Sequence, residues 1–408
     1  MSHPQPQAFG TGDARDFLTL DGLLDDTERM VRDTTRRFVV DRVLPEVGDW
    51  FEAGTFPVEL AKELGALGLL GMHLEGYGCA GSSATAYGLA CTELEAGDSG
   101  ARSFVSVQGS LAMFPIWAFG SEEQKQEWLP AMAAGEVIGC FGLTESDSGS
   151  DPASMRTTAR RDGDDWVLNG AKMWITNGGL ARVAIVWARD AADETGRTIH
   201  GFIVPTDTPG FAANDIPRKL SLRASVTSEL VLTDVRLPDA ARLPGVSSMR
   251  GPLSCLNEAR FGILFGAMGA ARACYEAALD YAGERVQFGT PIAAFQLTQR
   301  KLVEMMVRVN RGMLLALHLG RLKDVGQLSS AQVSFGKLDN VREALWVARE
   351  ARSVLGANGI TLEYPVIRHM NNLESVFTYE GTNEIHTLVL GQAITGINAF
   401  SAPTAPST

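Results

Sequence analysis

Glu380 stands in the run Tyr379-Glu380-Gly381-Thr382-Asn383-Glu384-Ile385-His386, between apolar segments. A carboxylate followed by glycine is a candidate general base, because a neighbour without a side chain lets a substrate approach closely. Taken alone, a Glu before a Gly is equally an exposed turn. A second candidate is the stretch Phe141-Gly142-Leu143-Thr144-Glu145, which runs on to Gly149-Ser150-Asp151-Pro152. Small hydroxyl residues and glycines let backbone N–H groups reach a polar ring edge or a phosphate. Lys172-Met173-Trp174-Ile175-Thr176-Asn177 follows it in the chain. Each segment alone reads as an ordinary loop or a core strand, but together they offer hydrogen bonds and an aromatic wall for a flat heterocycle. In Glu284-Arg285-Val286-Gln287-Phe288-Gly289, with Gln296 beyond, an Arg ends a helix beside a Gly turn. Its planar fork could hold a pyrophosphate, or it could simply complement the helix dipole.

Glu95, Arg102 and Ser106 fall on one face if their segment is helical. A surface Glu–Arg pair would contribute little. Arg102, however, lies in SGARSFVSVQGSLAMF, a stretch poor in other charges. A buried Arg needs an anionic partner. Gly76-Tyr77-Gly78-Cys79-Ala80-Gly81 has the spacing of a dinucleotide fingerprint. That fingerprint needs a strand before it and a helix after it within a βαβ unit. GALGLLGMHLE has no strand character, so this is a Gly-rich loop between helices. No nucleophile elbow or phosphate loop of the P-loop type occurs.

The elements that must position these residues fall into three zones. Over residues 18–136 apolar residues recur at helical spacing, broken at Pro and Gly. DDTERMVRDTTRRFVVDRVLPEV is predicted helical, capped by Asp25 or Asp26 and stopped near Pro45, and EEQKQEWLPAMAAG is predicted to end at Gly135. Over 137–245 short runs such as ARVAIVWAR and IHGFIVPT sit between turn residues, which predicts an antiparallel β domain. Over 246–400 long helices return. One carries Leu302, Met305, Met306, Val309, Met313 and Leu317 as a stripe that reads as core packing. The predicted class is α+β, with helical, β and helical domains in that order.

Composition removes other function classes. The 408 residues are 45% hydrophobic and carry a formal net charge of −12, with no Lys/Arg-rich block. A nucleic-acid role is therefore not expected. The five cysteines are an odd count without C-x-x-C spacing, and the six histidines show no ligand pattern. Reduced thiols, a cytoplasmic location and no metal site are expected. No apolar run approaches the roughly 20 residues of a membrane span. The opening MSHPQPQAFGTGDARDF and the closing SAPTAPST read as a mobile lead-in and tail.

In this order, FGLTE…SGSD, KMWITN, ERVQFG, GANGI and TYEGTNEIH resemble the acyl-CoA dehydrogenase family, over about residues 18–400. GYGCAG, DSGARSFVSVQGSLAM, KLSLRAS, CLNEARFGI and VIRHMNNLESVFTYEGT are similar in particular to its glutaryl-CoA dehydrogenase branch. The resemblance implies an N-terminal helical domain, a central β domain and a C-terminal four-helix domain, usually assembled as a homotetramer. It implies FAD as cofactor, bound across a subunit interface. Phe141, Leu143, Thr144, Gly149, Ser150, Trp174, Ile175 and Thr176 would lie toward its ring. Arg285, Phe288, Gln296, Leu355, Gly356, Asn358, Gly359, Thr382 and Glu384 would hold the rest. Leu256, Asn257 and Arg260 would meet the CoA portion of the substrate, with Ser150 near its phosphates.

Glu380 matches the family's base, which removes the α-proton of an acyl thioester while the β-hydrogen leaves as hydride to flavin N5. Electrons would pass to electron-transfer flavoprotein. Some members carry the base just before the residue matching Arg260, but here that position is Ala259. In the glutaryl-CoA branch the residue matching Arg102 binds the distal carboxylate, with those matching Glu95, Ser103 and Ser106 nearby and those matching Tyr379 and Gly381 shaping the pocket. Ala101 replaces an aromatic there. Oxidation would then be followed by loss of CO2 to give crotonyl-CoA. The alternatives are another short or branched acyl thioester on CoA or a carrier protein, an oxidase using O2, or a flavin-fold binding protein without catalysis.

Overall fold

A computed structural model of the chain describes residues 13–400. Most of the opening lead-in and the closing SAPTAPST lie outside the described residues. Helix α1 (Asp26–Phe38) starts where the sequence directs it. The Asp25 carboxylate accepts from the Glu28 N–H at 2.8 Å, and Glu28 accepts from the Asp25 N–H at 3.0 Å. This reciprocal cap satisfies two donors that a helix start leaves open. The chain widens into a π turn at Val39–Val43 just before Pro45. Short helices α2 (Val47–Ala53) and α3 (Leu60–Ala66) follow. The glycines at 76, 78 and 81 sit in a loop after α3, all with positive φ, as the absence of strand character required.

Helix α4 (Ala84–Gly97) is buried almost throughout. Asp98 then breaks the helix and caps the next one, accepting from the Gly100 N–H at 2.6 Å. Helix α5 (Ser99–Ser106) passes through a π-helical stretch, Val107–Met113, into α6 (Phe114–Phe119). Helix α7 (Glu122–Ala133) is capped by Ser121 and ends before Gly135, whose φ of 71° releases the chain.

The β zone contains β1 (Gly139–Gly142), β2 (Thr158–Asp162), β3 (Asp165–Thr176), β4 (Val183–Asp190), β5 (Ile199–Pro205), β6 (Phe211–Asp215) and β7 (Thr227–Pro238). Their order is β1-β4-β2-β3-β7-β6, with β5 on β4. The antiparallel expectation needs correction, because β1 and β2 both pair parallel to β4. Strand β4 is central and buried on both faces, so its continuous apolar run carries no alternation.

Helix α8 (Arg250–Glu284) spans the C-terminal zone and packs on α4, on α9 (Gln296–Asp324) and on α10 (Ser330–Leu355). Helix α11 (Val366–Thr378) lies against α8 and α10, and α12 (Asn383–Thr395) returns to α10. The predicted stripe of α9 does enter the core, with Leu302, Met305, Val309 and Leu317 buried. No helix among the described residues is long and apolar enough to cross a membrane.

Candidate active site

Three elements converge on the turn between α11 and α12. Glu380 has φ 53° and Gly381 φ 94°. A non-glycine residue in the left-handed region costs roughly 1–2 kcal/mol, so something must hold it there. From α8, Arg260 Nε donates to the Glu380 carbonyl at 2.7 Å. From α10, Lys337 Nζ donates to the Tyr379 carbonyl at 3.0 Å and the Gly381 carbonyl at 2.7 Å. Three successive carbonyls are thus clamped by two cations. From α12, the His386 ring lies against Gly381, so that a Cβ there would meet Nε2 at 2.8 Å. Thr382 caps α12 by accepting from the Ile385 N–H at 3.2 Å.

Glu380 Oε2 is buried without a hydrogen-bond partner among the described residues. Burial pushes the Glu380 carboxyl up from the usual range, against the pull of Arg102, Arg260 and Lys337. Burial likewise lowers Lys337, to about 7, and His386, to about 3. Glu258 turns away and pairs with Lys323 at 2.7 Å, while Ala259 is buried. Of the two carboxylates, only Glu380 is buried with an unpartnered oxygen and a raised carboxyl.

Beside it lies a second polar set. Arg102 and Glu95 are each 0% exposed, and Arg102 Nε reaches Glu95 Oε2 at 2.7 Å. The other Glu95 oxygen accepts from Ser99 Oγ at 2.8 Å. Arg102 also donates to the Tyr379 hydroxyl and faces the Tyr379 ring. Burial opposes the charge on Arg102, but Glu95 and Tyr379 outweigh it and hold the guanidinium well above its ordinary value. Arg102 Nη1 and Ser106 Oγ remain buried with no partner among the described residues. Two orphaned donors at a fixed cation are suited to a carboxylate of a ligand. Ser103 is buried on the same helix. Ala101 is buried too, and its methyl leaves more room than an aromatic would.

The two segments expected to border a flat ring are adjacent. The Met173 N–H donates to the Thr144 carbonyl at 2.8 Å. Lys172 Nζ braces the pair from behind, bonding the Leu143 carbonyl at 3.1 Å and Glu145 Oε1 at 2.8 Å. The Phe141 and Leu143 side chains are in the core, with Phe141 edge-on to Trp187. What they present outward is therefore backbone. Ile175 is buried and Thr176 half-buried, while Gly149 and Ser150 are exposed. Trp174 sits at φ 65° and is 59% exposed. A large aromatic held out on a constrained backbone fits a planar heterocycle stacking on it.

The remaining cofactor candidates are not all in one place. Thr382 and Glu384 lie at the Glu380 end, as do Leu256, half-buried, and Asn257, which donates to Ser330 Oγ at 2.8 Å. Arg285, Phe288 and Gln296 sit at the far end of α8, about 37 Å from Arg260 by the helix rise. Leu355, Gly356, Asn358 and Gly359 belong there too, since Asn358 Nδ2 donates to Tyr281 Oη at 3.1 Å. Phe288 has φ 52° and is 96% exposed. A single chain does not bring both groups to one ligand.

Sequence reading missed Lys337, Lys172 and His386. Lys337 left one signal, a charge on a helix face whose neighbours Val333, Val341 and Ala344 are apolar. A lysine within such a stripe must find acceptors.

Family models for the acyl-CoA dehydrogenase N-terminal, middle and C-terminal domains match residues 25–136, 140–235 and 249–395. A solved glutaryl-CoA dehydrogenase from Mycobacterium smegmatis is 65% identical, with TM-score 0.92, over 95% of this chain and 99% of that one. Another structure of a glutaryl-CoA dehydrogenase from that organism, in complex with FADH2, is 62% identical, with TM-score 0.93, over 96% of this chain and 100% of that one. The human mitochondrial short-chain specific acyl-CoA dehydrogenase is 35% identical over 370 residues, 90% of each chain.

Proposed function

The chain belongs to the acyl-CoA dehydrogenase family, and from that premise we propose that it oxidises and decarboxylates glutaryl-CoA to crotonyl-CoA and CO2. The observation that carries the substrate is Arg102, fully buried with Nη1 unpartnered among the described residues, as is Ser106 Oγ on the same helix. A purely apolar acyl tail would leave both donors unsatisfied, at about 1–3 kcal/mol each. A distal carboxylate satisfies them. The 62–65% identity to glutaryl-CoA dehydrogenases supports the same reading.

FAD, when bound, accepts the substrate's β-hydrogen as hydride. Thr144, Trp174 and Thr176 would meet its ring, and the group around Arg285 and Phe288 would come from a second copy in a homotetramer acting in the cytoplasm. Electron-transfer flavoprotein would take the electrons onward.

The chain's own residues then act in order. Glu380 takes the α-proton as the thioester acquires enolate character. The Glu380 N–H has no acceptor among the described residues and would donate to the developing oxyanion, a preorganised role. Arg102 holds the far carboxylate, so that the α- and β-carbons stay aligned. In the α,β-unsaturated product that carboxylate is vinylogous to a β-keto acid. Its C–C bond breaks to release CO2, and the electron pair passes into a dienolate. The proton held on Glu380 returns to the terminal carbon, giving crotonyl-CoA.

The test is substrate preference in Arg102→Met. Wild-type protein is expected to bleach its flavin with glutaryl-CoA at least about 10²-fold faster than with butyryl-CoA, and the variant to reverse that order. Unchanged preference in a folded variant would contradict the reading.

A further inference from the structure

We propose that Lys337 is a positioning residue for proton transfer, holding the backbone on both sides of Glu380 so that the carboxylate and the amide stay aimed into the pocket. The proposal rests on Glu380 being the base. Lys337 reaches the turn from α10, opposite Arg260 on α8. It is 1% exposed, and its ammonium bonds the Tyr379 and Gly381 carbonyls. No carboxylate among the described residues bonds it directly, although Glu380 and Glu384 stand near enough to favour its charge. A buried ammonium without a directly bonded carboxylate is costly to desolvate, and an apolar side chain of similar length would avoid that desolvation. What the amine adds is a brace that spans the residue in between. Of the turn's carbonyls, Arg260 grips that of Glu380. Lys337 grips the carbonyls before and after it, which fixes the peptide planes on either side and so the direction of the Glu380 N–H.

The same placement gives Lys337 an electrostatic effect. Around Glu380 stand Arg102 from α5, Glu95 from α4, Arg260 from α8, Lys337 from α10 and Tyr379 in the turn itself. Lys337 also faces Glu384 and His386 of α12. Arg102, Arg260 and Lys337 favour the ionised base, and Glu95 opposes it. Removing the Lys337 charge therefore moves the Glu380 carboxyl further up. A merely structural lysine would affect stability and leave the pH profile in place.

The experiment uses full-length holoprotein with glutaryl-CoA and butyryl-CoA as probes, comparing wild type, Lys337→Met, Lys337→Gln and Glu380→Gln. Flavin content, kcat, KM, the pH profile of kcat/KM and amide hydrogen exchange of the 378–386 segment are measured. Lys337→Met is expected to lose about 10²-fold in kcat with KM within about threefold of wild type. Its acid limb should move up by about one pH unit, and the 378–386 segment should exchange faster. Lys337→Gln keeps donors without charge. It should show the same limb shift with a smaller loss of kcat, and it decides the matter if the Met variant does not fold. Wild-type limb, kcat and exchange in a flavin-loaded Lys337→Gln would overturn the proposal. Glu380→Gln keeps the readings separate. If it retains its rate, the base assignment falls and this proposal with it. If it is inactive while the Lys337 variants behave as wild type, only the role of Lys337 is lost.

Discussion

An exposed glutamate is a weak base at neutral pH because water stabilises its charge. Glu380 differs in that burial raises its carboxyl, which makes it a stronger base once ionised. The sign for activity follows directly. Under the proposed mechanism the ionised form is required, so kcat/KM should fall as pH drops through a value above the usual carboxylate range, and Glu380→Gln should lower the rate by about 10²–10⁴-fold above that value, with the gap narrowing below it. The sign for stability is opposite. A group with raised folded pKa favours the fold in its protonated form, and that contribution is lost as pH rises through the folded value. Glu380→Gln should therefore melt higher than wild type at pH 8 and nearly equally at pH 4, as a thermal scan would show. Arg102 behaves differently, because its charge is paired. Arg102→Met leaves Glu95 buried and alone, which should cost about 3–5 kcal/mol. Adding Glu95→Gln should recover much of that stability without restoring preference for a dicarboxylic thioester. Denaturant melts with substrate assays separate the two effects.

The α11–α12 turn shows what an element contributes beyond its residues. Gly381→Ala would force a Cβ onto a φ of 94°, 2.8 Å from His386 Nε2. We expect a loss of about 1–3 kcal/mol in stability and a larger loss in kcat than in KM, checked by melting and steady-state kinetics. The Glu-Gly pair was legible in sequence, and so were α1 and α9, because the cap at Asp25 and the stripe of α9 are local signals. Lys337 was not, since its acceptors lie in a turn that only the fold brings to it. The parallel pairing of β1 with β4 was hidden for a similar reason. A parallel register between strands so far apart in the chain leaves no mark beyond the unbroken apolar run of β4. Arg102 was legible because a cation amid apolar residues is anomalous in any environment, although its unpartnered Nη1 became visible only with the structure.

Over the whole molecule, the separation along α8 of the two groups proposed to hold one cofactor carries the argument for assembly. Phe288, Leu297, Ile394 and Ile397 are strongly exposed apolar side chains of the C-terminal helical zone. Exposed patches of that kind mark interaction surfaces. Under the proposed homotetramer, Leu297→Glu should dissociate the protein and release most of its FAD. Light scattering with flavin absorbance checks both, and a monomer that retained one FAD per chain would contradict the shared site.

The most direct test of the central claim is to mix the flavin-loaded protein anaerobically with glutaryl-CoA carbon-labelled at the distal carboxylate, follow the flavin spectrum and identify the products. The account predicts rapid bleaching, labelled CO2 and unlabelled crotonyl-CoA in equal amounts. Glutaconyl-CoA as the final product would contradict the decarboxylation, and faster bleaching by butyryl-CoA or isobutyryl-CoA would contradict the role assigned to Arg102.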